Sequence, residues 1–209
     1  MATVEELWLG VFQRLCDGTA HQFKGALNGV AVNLEVVRSR AGRGETGVSA
    51  LQPFAEAAAA ELESVIQSAE AMLALARPPR GPADVARITR DVAVLASRGG
   101  RSGAGAAEAA EGEGRRLTVD KGVERLGTTS APTSAARLAI AAVLLAALEA
   151  SKDVVCSAVD DAGGPGIRVS CGERDGSRIA LSDEVVSAAY SAGVHLDISE
   201  SGATITFPT

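Results

Sequence analysis

Two long segments with heptad spacing of apolar residues open the chain, and they constrain the fold more than any other feature. In the first segment, residues 4–40, the apolar positions include Phe23, Leu27, Val30, Leu34 and Val37. In the second segment, residues 49–77, they are Ala58, Leu62, Val65, Ala69, Met72 and Ala76. Alternating spacings of four and three residues predict α-helices that each bury one stripe against a partner helix.

Glycine and proline mark the ends of both predicted helices. The segment 41–47 contains three glycines and predicts a hairpin loop, and the proline-rich segment 78–82 ends the second helix. Pro53 falls in the first turn of the second predicted helix, where a missing N–H costs little. A hairpin of two such helices cannot bury both stripes alone. The pattern therefore predicts a homodimer in which two hairpins form a four-helix bundle.

Composition excludes several classes of protein. The net charge is −6 and no tract of Lys or Arg stands out, which argues against a nucleic-acid partner. Cys16, Cys156 and Cys171 are far apart, so neither a metal site nor a disulfide framework is expected. Residues 1–8 lack a basic, apolar leader, and the apolar run 138–148 is shorter than the ~20 residues that span a bilayer. We expect a soluble cytoplasmic protein without a membrane partner.

The remainder of the chain predicts a second domain in which helices cover one face of a mixed sheet. Helices are predicted at 84–97, 135–151 and 184–192, and strands at 117–119, 167–171, 178–182, 195–199 and 203–207. Residues 98–114 lack apolar anchors and predict a loop, and Asp175-Gly176 predicts a turn. The expected fold class is α+β, with a helical hairpin over residues 1–78 and an α/β sandwich over residues 79–209.

Three local sequences carry a family resemblance. They are Ala20-His21-Gln22-Phe23 with Leu27-Asn28, the apolar helix segment 144–150, and the closing segment 191–207. These resemble the histidine box, the asparagine-box helix and the terminal hairpin of bacterial sensor histidine kinases. In that family a helical hairpin dimerises and carries the phosphorylated histidine, and an α/β ATP-binding domain follows. The resemblance implies this architecture over nearly the whole chain, with the second domain a degenerate ATPase-like domain.

Departures from the family pattern concern the nucleotide and the histidine. Ala142 and Ala146 stand where the family places asparagines, and methyl groups cannot coordinate Mg²⁺. Asp183 stands at the nucleotide-binding turn, but it lacks the following glycines and leaves no room for an ATP lid. Gln22 replaces the carboxylate that follows the histidine, and an amide cannot act as a base. Gly25 replaces the Thr or Asn of kinases with phosphatase activity. ATP binding and self-phosphorylation are therefore not expected.

The segment 160–167 looks superficially like the nucleotide-binding turn, because it combines two aspartates with three glycines. It precedes the predicted strands at 167–171 and 178–182, so it comes too early in the strand order. We interpret it as a glycine-rich loop that enters a strand, since short glycine motifs recur by chance.

The chemistry that remains centres on His21. His21, Lys24, Gly25 and Asn28 share one helix face, at spacings of three, four and seven residues. A neutral imidazole is a nucleophile near neutral pH, and Lys24 offers a cation for phosphate. Gly25 costs ~1 kcal/mol in a helix relative to Ala and permits close approach of a partner. This face, with Gln22 beside it, predicts a docking site for a receiver domain.

Three functions are compatible with the sequence. The leading hypothesis is a histidine phosphotransferase of two-component signalling that relays a phosphoryl group to or from response-regulator receiver domains through His21. It needs no cofactor of its own, because the receiver domain brings its aspartate and Mg²⁺. The second is a catalytically inactive pseudokinase scaffold that dimerises and binds signalling partners. The third is an active kinase with an unusual nucleotide site, which ATP binding would reveal.

Overall fold

The computed structural model describes residues 2–44, 47–79, 81–97, 115–161, 164–172 and 178–209. These residues form an α+β fold, as predicted, in which a helical hairpin precedes helices packed on a mixed sheet. The predicted loop at 98–114 and the predicted turn at Asp175-Gly176 lie outside the described residues.

The order of the elements follows the prediction closely. The α-helices are α1 (Val4–Gly42), α2 (Val48–Ala76), α3 (Val85–Ala96), α4 (Thr133–Ala150) and α5 (Asp183–Ser191). The strands are β1 (Ala83–Asp84), β2 (Arg116–Val119), β3 (Thr128–Thr129), β4 (Asp153–Asp161), β5 (Gly164–Cys171), β6 (His195–Ser199) and β7 (Gly202–Thr206). A short 3-10 helix, Lys121–Arg125, follows β2.

The hairpin of α1 and α2 forms for reasons that are local in the sequence. Thr3 caps α1 through its hydroxyl, which accepts from the Glu6 amide, while the Glu6 carboxylate accepts from the Thr3 amide. Pro53 was predicted in the first turn of α2, but it lies in the second turn because α2 begins at Val48. The guanidinium of Arg40 donates to the Ala50 carbonyl at 3.2 Å and lies 4.7 Å from the Phe54 ring centre, which ties α1 to α2 near the loop.

The main sheet has the strand order β2-β4-β5-β7-β6, with β2 parallel to β4 and the other neighbours antiparallel. The predicted strand at 178–182 is wrong. This segment forms neither strand nor helix; Ile179 enters the core and Ser182 caps α5. Strand β4, whose Val154 and Cys156 point into the core, was not predicted, and neither were the short strands β1 and β3, which pair in a separate two-stranded sheet. The terminal hairpin of β6 and β7 and the edge strand β2 are confirmed.

Gly164 explains the glycine-rich segment between β4 and β5. Its φ is 128°, and a Cβ at this position would clash with the Phe207 carbonyl, so only glycine fits. Asp161 pairs with Gly164 across the two antiparallel strands. Residues 160, 161 and 164–167 therefore belong to strands β4 and β5 rather than to a loop, and residues 162–163 lie outside the described residues.

Helix α4 is the centre of the core. It is long and apolar enough to cross a membrane, yet 72% of that window is buried inside the protein, as expected of the core helix of a soluble protein. One continuous cluster joins α4 to the sheet and also to the base of the hairpin through Val11, Leu15, Ala71 and Leu75. The hairpin and the sandwich are thus packed against each other rather than joined by the linker alone.

Candidate functional site

His21 is exposed near the middle of α1. At about 100° per residue, the surface of α1 divides into three lengthwise stripes that are roughly a third of a turn apart. One stripe, with Val11, Leu15 and Thr19, is buried. A second stripe is apolar but exposed. His21 lies on the third stripe, and therefore away from both apolar stripes.

The third stripe, which we call the histidine face, brings together four of the five predicted site residues. Lys24, Gly25 and Asn28 are exposed beside His21, as their spacing predicts. The ammonium group of Lys24 has no ion-pair partner within the described residues. The face therefore combines a nucleophilic ring, a free cation and low steric bulk.

Further residues of the histidine face were not predicted. They include Arg14, Asp17, Gly18 and Val32, which lie at −7, −4, −3 and +11 from His21. Val32 is an apolar side chain that is 55% exposed. Helical spacing was the signal that would have identified these residues, because each falls on the same stripe of α1.

Gln22 differs from the other predicted docking residues. Both polar atoms of its amide, Nε2 and Oε1, are buried and have no hydrogen-bond partner. Residue 22 falls on the buried stripe of α1, about 100° from His21, so its side chain enters the hairpin. In this conformation Gln22 is not part of the surface that a partner contacts.

Gly25 gives the first test of the site. A Cβ at Gly25 would meet nothing within 4 Å, and the same holds for Gly10, more than four turns away on α1. We expect Gly25→Ala and Gly10→Ala each to stabilise the protein by about 1 kcal/mol, because Ala is the better helix former. Thermal unfolding would show a rise in Tm of roughly 2–4 °C for either variant. A lower Tm for Gly25→Ala alone would reveal a close contact at this glycine within the protein.

The exposed apolar stripe of α1 has a counterpart on α2. Its large exposed members are Leu9, Leu27, Leu34, Val48, Leu62, Ile66 and Leu73. On both helices the exposed apolar stripe is rotated from the buried stripe by about 120° around the helix axis, in the same sense when each helix is followed from its N-terminus. Because the two helices run in opposite directions, this rotation places both exposed stripes on the same side of the hairpin. We call this surface the apolar face.

One ion pair connects the histidine face to the sandwich. The guanidinium of Arg14 lies 2.6 Å from the carboxylate of Glu149, near the end of α4, and both side chains are 60% exposed. Arg14 precedes His21 by two turns, about 10 Å along the helix axis. The C-terminal end of α4 therefore borders the histidine face and places the Glu149 carboxylate beside Arg14, while Asp17, one turn before His21, is exposed on the same face of α1.

The structure locates the three positions at which the family resemblance implies nucleotide-binding groups. Ala142 and Ala146 are buried in the core. Asp183 was placed at the nucleotide-binding turn on the basis of a strand at 178–182. That placement is wrong, because Asp183 is the first residue of α5. Its carboxylate stands at a helix N-terminus, where a negative charge is favourable.

Other polar clusters do not join His21. Among the described residues, no group of three or more His, Cys, Asp or Glu side chains is arranged to hold a metal ion. A cleft of about 500 Å³ lies near Glu5, Pro82 and Ser134, at the base of the hairpin where α1 begins. The Ser134 hydroxyl in this cleft already donates to the Glu5 carboxylate at 3.0 Å. His195 is exposed on β6, with its ring 5.2 Å from that of Tyr190.

Comparison with known proteins gives no family assignment. No protein-family model matches the chain, and no curated protein matches it.

Proposed function

We propose that the protein is a cytoplasmic histidine phosphotransferase that relays phosphoryl groups to or from the aspartates of receiver domains in two-component signalling. The observation that carries this proposal is the exposure of His21 on a face with Lys24, Gly25 and Asn28. Phosphoryl transfer depends on in-line positioning and charge neutralisation, which such a surface offers to a partner. In this proposal the receiver domain supplies the aspartate and the Mg²⁺, and this chain binds no ATP.

We further propose that two copies associate through the apolar face to form a four-helix bundle. With α2 about 43 Å long and two helices roughly 20 Å wide, this face offers about 800 Å² per copy, which is the size of a standard stable interface. A second copy is the occupant favoured by its continuous heptad pattern, because antiparallel hairpins can pair around a twofold axis. His21 lies on another stripe of α1 and stays accessible in such a dimer.

The transfer step uses the ring of His21 as the nucleophile. The unprotonated ring nitrogen attacks the phosphorus of the receiver's aspartyl phosphate, and a P–N bond forms. The P–O bond to the aspartate breaks, and the carboxylate leaves with the electron pair. The phosphorylated ring is positively charged and becomes neutral when its original N–H proton is released to water. Lys24 stands one turn from His21, and its charge offsets the negative charge of the phosphoryl group.

The direct test is phosphotransfer profiling of the wild-type chain. The protein is incubated with purified receiver domains from its own genome, each phosphorylated with ³²P-labelled phosphoramidate, and the label is followed on gels. We expect one or more receivers to label the chain rapidly. The label should be lost in acid but stable in base, as a phosphohistidine is and an aspartyl phosphate is not. Mass spectrometry should place it on the peptide that contains His21.

The alternative function predicts a different outcome of the same experiment. A pseudokinase scaffold would bind one or more receiver domains and acquire no label from any of them. Binding without transfer across the whole set would therefore overturn the phosphotransferase proposal and favour the scaffold. Label on another residue would overturn the assignment of His21.

A further inference from the structure

A buried arginine lies at the joint between the hairpin and the sandwich. Arg137, in the second turn of α4, is only 7% exposed. Its Nη1 donates to the carbonyl of Arg77 at 3.1 Å, and its Nη2 donates to the carbonyl of Ala74 at 3.3 Å. These carbonyls belong to the C-terminal end of α2 and the residue that follows it. Arg137 thus reaches from the sandwich and caps a helix of the hairpin.

The capping role is physically specific. The last carbonyls of a helix lack partners within the helix and carry the negative end of its dipole, so a cation is favourable there. The last turn of α2 contains no basic residue of its own. The C-cap residue Arg77 is basic, but the donors that satisfy the Ala74 and Arg77 carbonyls come from Arg137 of α4, on the other side of the joint.

The surroundings of Arg137 make it an expensive residue to bury. Its Nε has no hydrogen-bond partner, and burial lowers the pKa of the guanidinium. The Trp8 ring of α1 lies 6.0 Å from its Cζ, so residues of three helices meet at this side chain. Asp91 of α3 is half-buried nearby, and burial raises the pKa of its carboxyl despite the charges of Arg87, Arg90 and Arg137. Apolar contacts alone would bury the joint at lower cost.

Apolar contacts do not fix the orientation of the sandwich relative to the hairpin. Val11, Leu15, Ala71 and Leu75 hold the hairpin on the sandwich, but hydrophobic contact is non-directional and tolerates sliding of packed helices. Two hydrogen bonds from the planar guanidinium of Arg137 to two carbonyls of the α2 end fix the angle between α4 and α2.

From this geometry we propose that Arg137 is an orientation lock, which holds the sandwich at one angle to the hairpin and makes it a rigid buttress rather than a moving domain. The inference does not depend on the proposed phosphotransfer, because it concerns only the joint. Its consequence for that function is that Glu149 and the histidine face keep a constant arrangement, so a partner meets a preformed surface.

Pulsed electron–electron double resonance, which measures the distance between two spin labels, tests the lock. Nitroxides are attached through p-acetylphenylalanine at the exposed positions Ser39 on α1 and Thr118 on β2, so that the native cysteines stay unlabelled. Labelled chains are diluted with excess unlabelled protein so that distances within one copy dominate. We expect a narrow distance distribution for the wild-type protein, and a distribution at least about twice as wide for Arg137→Met, which keeps the length but loses both hydrogen bonds.

The control and the second variant keep the test decisive. Arg90→Met removes an exposed arginine of α3 and should leave the distribution unchanged. Arg137→Lys keeps the charge but cannot reproduce the planar pair of donors, so it should give an intermediate width even if Arg137→Met fails to fold. A broad distribution in the wild-type protein, or an unchanged width in a folded Arg137 variant, would overturn the proposal.

Discussion

The His21→Ala variant is expected to accept essentially no phosphoryl label from any receiver domain that labels the wild-type protein. Removing a nucleophile removes the bond that must form, and losses of about 10³-fold or more follow when no other group can replace it. His21 is exposed, so its truncation leaves the core intact and the variant should unfold at nearly the wild-type temperature. The measurement is the initial rate of label transfer, with receiver binding determined in parallel by calorimetry.

The chain offers a matched control, because it has only two histidines. His195 is also exposed, but it lies on β6 at the edge of the sheet. His195→Ala should therefore accept label at the wild-type rate. Equal loss of label in both variants would indicate a general effect on folding, and label retained by His21→Ala would end the assignment. Receiver binding by His21→Ala should persist, since the remainder of the histidine face is unchanged.

Much of the fold was predictable because its signals are local. The heptad spacing of α1 and α2 is a short-range pattern, and both segments are helices in the structure. The strand at 178–182 was wrong for a similar reason. A short alternating segment looks like a strand in isolation, but pairing depends on neighbours distant in sequence. Strand β4 was missed because its Val154, Val155 and Val159 form no simple alternation with the polar residues around them.

The part of the candidate site that lies on a single helix, α1, was predictable from the sequence. His21, Lys24, Gly25 and Asn28 share a face because helical geometry requires it. The orientation of Gln22 toward α2 needed the position of the second helix, and its orphaned amide shows that polarity alone does not predict exposure. Arg137 was beyond sequence reasoning, because an arginine in an apolar helix gives no indication that its partners are backbone carbonyls about 60 residues earlier.

The second large effect concerns the proposed dimer. We expect Leu34→Asp combined with Ile66→Asp to convert a dimer into a monomer, with the dissociation constant raised by about 10³-fold or more. Leu34 and Ile66 are 53% and 50% exposed on the apolar face, so the protomer tolerates a polar residue at either position. In the bundle the same aspartates would be buried without partners, and burial of an unpaired carboxylate costs several kcal/mol. Light scattering after size exclusion would measure the change, from twice the chain mass to 21.1 kDa.

Val32→Asp is the control that separates the apolar face from the histidine face. Val32 is 55% exposed, as Leu34 is at 53%, but it points about 160° away around α1. Val32→Asp should therefore remain dimeric and lose receiver binding, because the charge falls on the docking surface beyond Asn28. The double variant Leu34→Asp with Ile66→Asp should instead be monomeric in the light-scattering measurement. Aspartates at positions 32 and 34 of α1 would then have different effects, the first on receiver binding and the second on dimerisation. Such a difference requires that α1 presents different surfaces to the second copy and to the receiver. A dimer that survives Leu34→Asp with Ile66→Asp would refute the bundle, whatever the outcome at Val32.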